Sequence, residues 1–155
     1  MITSTECLAK FGDPTDDKQR LAFEQKWMTL WTPPPGIPAM PRRVYCHKYL
    51  LPLLHQWHDN VVDAKLQDEV RTWDGCYCIR PSKSNNLSLS RHSWGLAFDI
   101  NASWNRYGQL PSMTPELVRC GTQSGLTWGG AWKKPDGMHF ELKEFPINAS
   151  TNDRE

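Results

Sequence analysis

Long apolar runs are missing from this sequence. None approaches the ~20 residues that a membrane-spanning helix requires, so membrane insertion is not expected. An excess of one charge is missing too. Eighteen Lys and Arg stand against 17 Asp and Glu, a formal net charge of +1, which gives no electrostatic reason to expect nucleic acid or an acidic membrane as partner. The N-terminal stretch MITSTECLAKFGDPTDDK has neither a basic n-region nor an apolar h-region, so no signal peptide is expected. On this reading the chain is made and folded in a cytoplasm, and anything it does outside requires release by another agent. Cysteine is sparse and odd in number: Cys7, Cys46, Cys76, Cys78 and Cys120. Without export, that count implies reduced, packed thiols rather than a disulfide framework. Cys76 and Cys78 would share a face if their segment were a strand, but no second close cysteine pair completes a zinc knuckle. The Asn-x-Ser sequons at Asn101 and Asn148 carry no meaning without secretion. Internal repeats and low-complexity tracts are absent.

What is present is the composition of a globular protein, 39% hydrophobic and 23% charged over 155 residues. That is enough chain for one domain with an ordinary core, expected over residues 1–145, with a loosely held tail at 146–155. Asp16 to Trp31 reads as a helix, opened by acidic residues and stopped by TPPPGIPAMP, a stiff surface connection. A second helix is expected from about Leu50 to Val70, with Leu50, Leu54, Trp57, Val61 and Ala64 facing the core. His55 and His58 are three apart on it and read as surface histidines. Gly75 to Pro81 alternates as a strand, SKSNNLSLS as a polar loop, and GLAFDIN as another strand. SMTPELVRCGTQSG is a short helix with Thr114 as N-cap, Pro115 in its first position and Gly125 past its end. LTWGGAW is a glycine-broken loop or strand, and DGMHFEL a final strand. Helices first and antiparallel-type strands later indicate an α+β fold, N-terminal helices packed on a small, mainly antiparallel sheet. Among the eight tryptophans, Trp27 and Trp57 are assigned to the core; Trp104 and Trp132 are open between core and surface.

The chemistry gathers on two stretches. In SRHSWGLAFDI the strand Leu96 to Ile100 turns Phe98 and Ile100 to one side and Ala97 and Asp99 to the other. A carboxylate on so apolar a strand needs a partner or a cation. In MHFEL, Met138, Phe140 and Leu142 form the apolar side, His139 and Glu141 the polar side. If these strands share a sheet, Asp99 and His139 look over one surface, and a turn at Gly95 can fold His92 back onto it. Two imidazoles and one carboxylate suit a single zinc ion with an open fourth position. Asp136, three residues before His139, is placed to serve as base for a zinc-activated water. Arg80, beside Pro81, is the nearest cation for a polarised carbonyl. A Ser90–His92–Asp99 triad competes with this reading. It lacks a Gly-x-Ser-x-Gly elbow and leaves Asp136 and His139 unexplained.

SRHSWGLAFD fits Ser-x-His-x-x-Gly-x-Ala-x-Asp, and WGGAWKKPDGMHFE resembles Trp-Gly-Gly-x-Trp followed by Asp-x-x-His-Phe-Glu. Together they resemble the zinc D-alanyl-D-alanine carboxypeptidases, a family that includes VanX, VanY and the bacteriophage L-alanyl-D-glutamate endopeptidase endolysins, and that shares its fold with the Hedgehog signalling domain. The recognisable region runs from Tyr77 to Glu141. The resemblance implies that His92, Asp99 and His139 bind zinc, that Asp136 is the catalytic base, and that Ser90 and Glu141 orient the site. Ile79-Arg80-Pro81 resembles the family's Tyr-Arg element, whose arginine helps bind substrate and stabilise the transition state. A departure is the spacing: eleven residues separate Arg80 from His92, where many members have a longer stretch containing glutamine.

The Trp-Gly-Gly-x-Trp form looks most like the phage endopeptidases. It implies a monomeric lysin that waits in the host bacterial cytoplasm and reaches the wall from the periplasm after holin-type release. The expected substrate is a peptidoglycan stem peptide cut at L-alanyl-D-glutamate. The alternatives are a D-alanyl-D-alanine carboxypeptidase of the same family and a non-catalytic, metal-containing wall-binding module.

Overall fold

The computed structural model describes residues 1–147. Among them, four α-helices and two small antiparallel sheets form an α+β fold. The first helix, α1 (Ser4–Phe11), was not anticipated, yet Thr3 and Glu6 signal it. The Thr3 hydroxyl accepts the Glu6 N–H while the Glu6 carboxylate accepts the Thr3 N–H, a reciprocal cap that satisfies two otherwise orphaned donors.

Helix α2 (Asp17–Trp27), capped by Asp16, ends earlier than expected. Met28–Trp31 is instead strand β1, which pairs with β2 (Val44–His47) in the register Met28↔His47 to Trp31↔Val44. The apolar spacing misled because Met28 and Trp31, three apart, are buried in either conformation. Leu21 and Leu30 are 57% and 58% exposed, so neither supplies the apolar face that a helix over 16–31 would need. The proline-rich connection between β1 and β2 is a loop anchored by buried Ile37.

Helix α3 (Leu51–Asp63) is shorter than the expected 50–70. Leu50, Leu54, Trp57 and Val61 are fully buried, as the period requires. Ala64 is exposed, and Lys65 turns left-handed at φ 59°, which ends the helix. His58 is buried rather than on the surface, while His55 is exposed.

The larger sheet contains β3 (Trp73–Gly75), β4 (Ala97–Ile100), β5 (Leu126–Trp128) and β6 (His139–Leu142), in the order β3-β4-β6-β5 and antiparallel throughout. The strand expected over 75–81 therefore lies earlier. After an irregularity between Trp73 and Gly75, where Gly75 has φ +126°, the chain leaves the ladder. It runs instead beside the His92 segment, with Cys78 N–H on His92 O and Arg80 N–H on Ser93 Oγ. This puts Cys76 inside and Cys78 outside, so the two thiols do not share a face. Helix α4 (Pro115–Thr122) begins as expected, with Thr114 Oγ1 accepting from Leu117 N–H.

One face of the sheet builds the main core. Phe98 lies between Trp73 and Phe140, with ring centroids 5.3 and 5.5 Å away and near-parallel planes, and packs on Trp57 of α3. Full burial of each such side chain contributes about 1.5–3 kcal/mol. A slip of one residue in β4 or β6 would expose these rings, so the core fixes the register that the opposite face depends on. A second apolar cluster joins α1 and α2 to Trp94, Leu96 and Leu142. Phe145, the last residue of the expected domain, packs on Phe11 at 5.5 Å; residues 148–155 of the expected tail lie outside the described residues.

Candidate metal centre

The polar face of β4 and β6 carries the candidate site. Asp99 and His139 are direct register partners, and Ala97 lies opposite Glu141. His92 arrives on a 3-10 turn, Arg91–Trp94, whose first N–H groups are held by Ser90: its Oγ accepts from His92 N–H at 3.3 Å. Gly95 ends that turn at φ +65°, and a Cβ there would stand 2.8 Å from Met28 Cε and 3.0 Å from His47 N. Both the left-handed backbone and the lack of room require glycine. Behind the turn, Trp94 Nε1–H donates to Gly12 O, so the N-terminal helices support the histidine from outside the sheet.

The tautomers follow from the neighbours. A carbonyl can only accept, so His92 Nδ1 donates to Cys76 O at 2.7 Å, leaving Nε2 bare. His139 directs Nε2 at Glu141 Oε2, 2.8 Å away, leaving Nδ1 inward. His92 Nε2 then sits 3.1 Å from Asp99 Oδ1 and 3.2 Å from His139 Nδ1, and His139 Nδ1 is 3.2 Å from the same oxygen. The three residues are 2–5% exposed. Among the described residues they are the one group of His, Cys, Asp or Glu side chains that could hold a metal.

The donor set fits zinc. A tetrahedron with metal–ligand bonds of about 2.0–2.1 Å has edges of roughly 3.3 Å, close to the observed separations. The outward nitrogens of both imidazoles are occupied by a carbonyl and a carboxylate, the arrangement that fixes ligating histidines. The electrostatics agree. Burial opposes ionisation of Asp99, but when the imidazoles carry a second proton their hydrogen bonds and positive charge, from His139 and His92, outweigh it and hold the carboxyl well below its usual range. Burial likewise opposes charging of His139, but Asp99 and Glu141 overcome it and raise its pKa. The pocket is built to hold positive charge.

Asp136 is 5% exposed and lies at the turn before β6, where its carbonyl accepts from His139 N–H and its own N–H donates to Gly129 O. Gly129 is close-packed on this turn; a Cβ there would meet Asp136 O at 2.7 Å. Arg80 Nη2 reaches Asp99 Oδ2 at 3.3 Å. Arg80, Trp132, Asp136, His139 and Glu141 together line a cleft of about 360 Å³. All seven residues expected at the site are thus found in or directly behind it. Trp27 and Trp57 are core, Trp104 is 45% exposed, and Trp132 faces His139 at 5.4 Å.

A serine triad is not formed. Ser90 Oγ caps a backbone N–H, and both ring nitrogens of His92 are engaged elsewhere. Sequence reasoning missed two contributors. The Cys76 carbonyl carries no side-chain signal at all. Lys83, whose Nζ sits 3.2 Å from Asp136 Oδ1, lies in a loop with no periodicity to place it.

No curated protein and no solved structure matches the chain. Residues 83–142, which carry His92, Asp99, Asp136 and His139 and make up less than half of the chain, match the family model of D-alanyl-D-alanine carboxypeptidase, which supports a hydrolase of the metallopeptidase kind directed at peptidoglycan.

Proposed function

We propose that this chain is a zinc-dependent endopeptidase that hydrolyses the L-alanyl-D-glutamate bond of peptidoglycan stem peptides. The observation that carries the reading is the convergence of His92 Nε2, Asp99 Oδ1 and His139 Nδ1 beside a cleft that also holds Asp136. His92, Asp99 and His139 would hold the zinc; when bound, it supplies Lewis acidity to the scissile carbonyl and lowers the pKa of a water toward ~7. Asp136 accepts the proton of the attacking water and returns it to the leaving amine. Arg80, with Nη2 on Asp99 and its side chain in the lining of the cleft, brings a guanidinium to the carbonyl oxygen as charge develops there. Glu141 holds the His139 ring in its tautomer, and Ser90 holds the turn that carries His92.

The Trp-Gly-Gly-x-Trp segment supports the endolysin form of this activity: a monomer kept in the host cytoplasm and brought to the wall by a holin-type release. The description of the matching family favours a second reading, removal of a terminal D-alanine. Digestion of purified sacculi followed by mass spectrometry of the muropeptides separates the two. Release of whole stem peptides beginning at D-glutamate is expected; loss of a single alanine from pentapeptides would replace the first reading with the second. No product of either kind would leave only metal-containing wall binding.

A further inference from the structure

The cleft is unevenly charged. Five cationic side chains line it against two carboxylates, in a chain whose formal net charge is only +1. One of the carboxylates, Glu141, is already engaged with His139 and lies 4.0 Å from Arg91. Lys83 projects from a short loop closed by the bridge Pro81↔Leu89 and by Ser82 N–H on Ser88 O. Its Nζ stands 3.2 and 3.4 Å from the two oxygens of Asp136 and 5.9 Å from the centre of the Tyr107 ring. Lys134 Nζ lies 4.8 Å from that same ring, and among the described residues it pairs with no carboxylate. Two ammonium groups are thus gathered on one aromatic ring in the lining of the cleft, and one of them is paired with Asp136. That arrangement awaits an anion.

Both bonds considered above supply one in the same place. The residue following the scissile bond carries a free carboxylate, either the α-carboxylate of a γ-linked D-glutamate or the terminal carboxylate of D-alanine. We infer that Lys83 is a specificity-determining residue of this cleft, its Nζ binding the carboxylate of the residue after the scissile bond, with Lys134 supporting it from across Tyr107. The inference rests on the peptidase reading of the site. The flexible lysine stem lets Nζ turn from Asp136 to the substrate without moving the loop, and a charge-assisted hydrogen bond there discriminates against a neutral amide.

The test uses two peptide pairs, each a free acid and its carboxamide: one varied at the α-carboxylate of γ-linked D-glutamate, one at a terminal D-alanine. Binding by calorimetry and turnover by product analysis are measured for the wild type, Lys83→Met and Lys83→Arg. The wild type is expected to favour the acid by about tenfold or more in Kd and in kcat/KM. Lys83→Met should abolish the ratio and Lys83→Arg should keep it. The pair that shows the Lys83-dependent ratio identifies which carboxylate is bound. A general effect of the substitution on Asp136 would slow acid and amide alike and leave the ratio unchanged. A preference that persists in Lys83→Met, or is absent from the wild type, overturns the inference. A Lys83-dependent preference in binding without cleavage of any peptide keeps the carboxylate site and overturns the peptidase reading; neither binding nor cleavage overturns both.

Discussion

At the scale of single residues, the site divides into groups that hold and groups that react, and substitutions should separate them. Asp136 is not among the three converging side chains that could hold a metal. Asp136→Ala should therefore lower kcat by about 10²–10⁴-fold, the usual worth of a positioned base, while the purified protein keeps its full metal content. Undiminished lysis of cell walls would remove Asp136 from the mechanism. Glu141 behaves in the opposite way. Its Oε2 takes the outward nitrogen of His139 at 2.8 Å, so Glu141→Gln should weaken zinc binding by about 10–100-fold, read by competition with a chromogenic chelator. An unchanged affinity would show that the His139 ring is held by packing alone. The convergence of His92, Asp99 and His139, with Asp136 near them, was legible in the sequence because each sits at a fixed step of a strand or tight turn. Lys83 was not legible: its position depends on the hydrogen bonds that fold the 81–89 loop, and no spacing encodes those.

At the scale of elements, the turn at Gly95 and the hairpin β1–β2 meet. His47 N–H donates to Gly95 O, and a side chain at Gly95 would strike Met28 and His47. Gly95→Ala should destabilise the fold by about 1–3 kcal/mol through backbone strain and overpacking; urea midpoints equal to the wild type would contradict the close packing described. His47 itself gives a pH signature. Burial, with a smaller effect from Lys48 and Lys10, pushes its pKa from 6.5 down to about 3, and its bare Nδ1 accepts the Tyr49 N–H. Above pH ~6.5 neither the folded nor the unfolded state protonates this ring, and its stability contribution is fully present. As pH falls from 6.5 toward 3, the unfolded chain takes up a proton that the folded chain excludes, and stability drops by up to about 1.4 kcal/mol per unit. In His47→Asn the loss of stability between pH 7 and pH 5, from urea titrations, should be visibly smaller than in the wild type. Equal losses would place the acid sensitivity elsewhere.

The same elements show why parts of the fold were hidden. Strands β4 and β6 were read correctly because one face is all core and the other all site, so alternation is clean. Strand β1 reads as the end of a helix in the sequence because four residues with buried ends satisfy either period, and only pairing with distant β2 decides between them. Helix α3 was drawn too long because nothing in the local sequence marks Lys65 as left-handed.

At the scale of the whole molecule, the fold is an arrangement for keeping one polar face of β4 and β6 in register over a packed core, with the N-terminal helices bracing the turn that brings in His92. Zinc should therefore bind the folded state far more tightly than the unfolded one. Chelation should lower the melting temperature and restored zinc should raise it, reflecting a gain of about 2.7 kcal/mol in unfolding free energy at a hundredfold excess over Kd. The central claim is that this zinc occupies the His92–Asp99–His139 set. Elemental analysis of the purified wild type beside a folded His139→Ala variant tests it most directly. The expected result is one zinc per wild-type chain and substantially less in the variant. A wild type without zinc, or a variant that retains it in full, would contradict the claim.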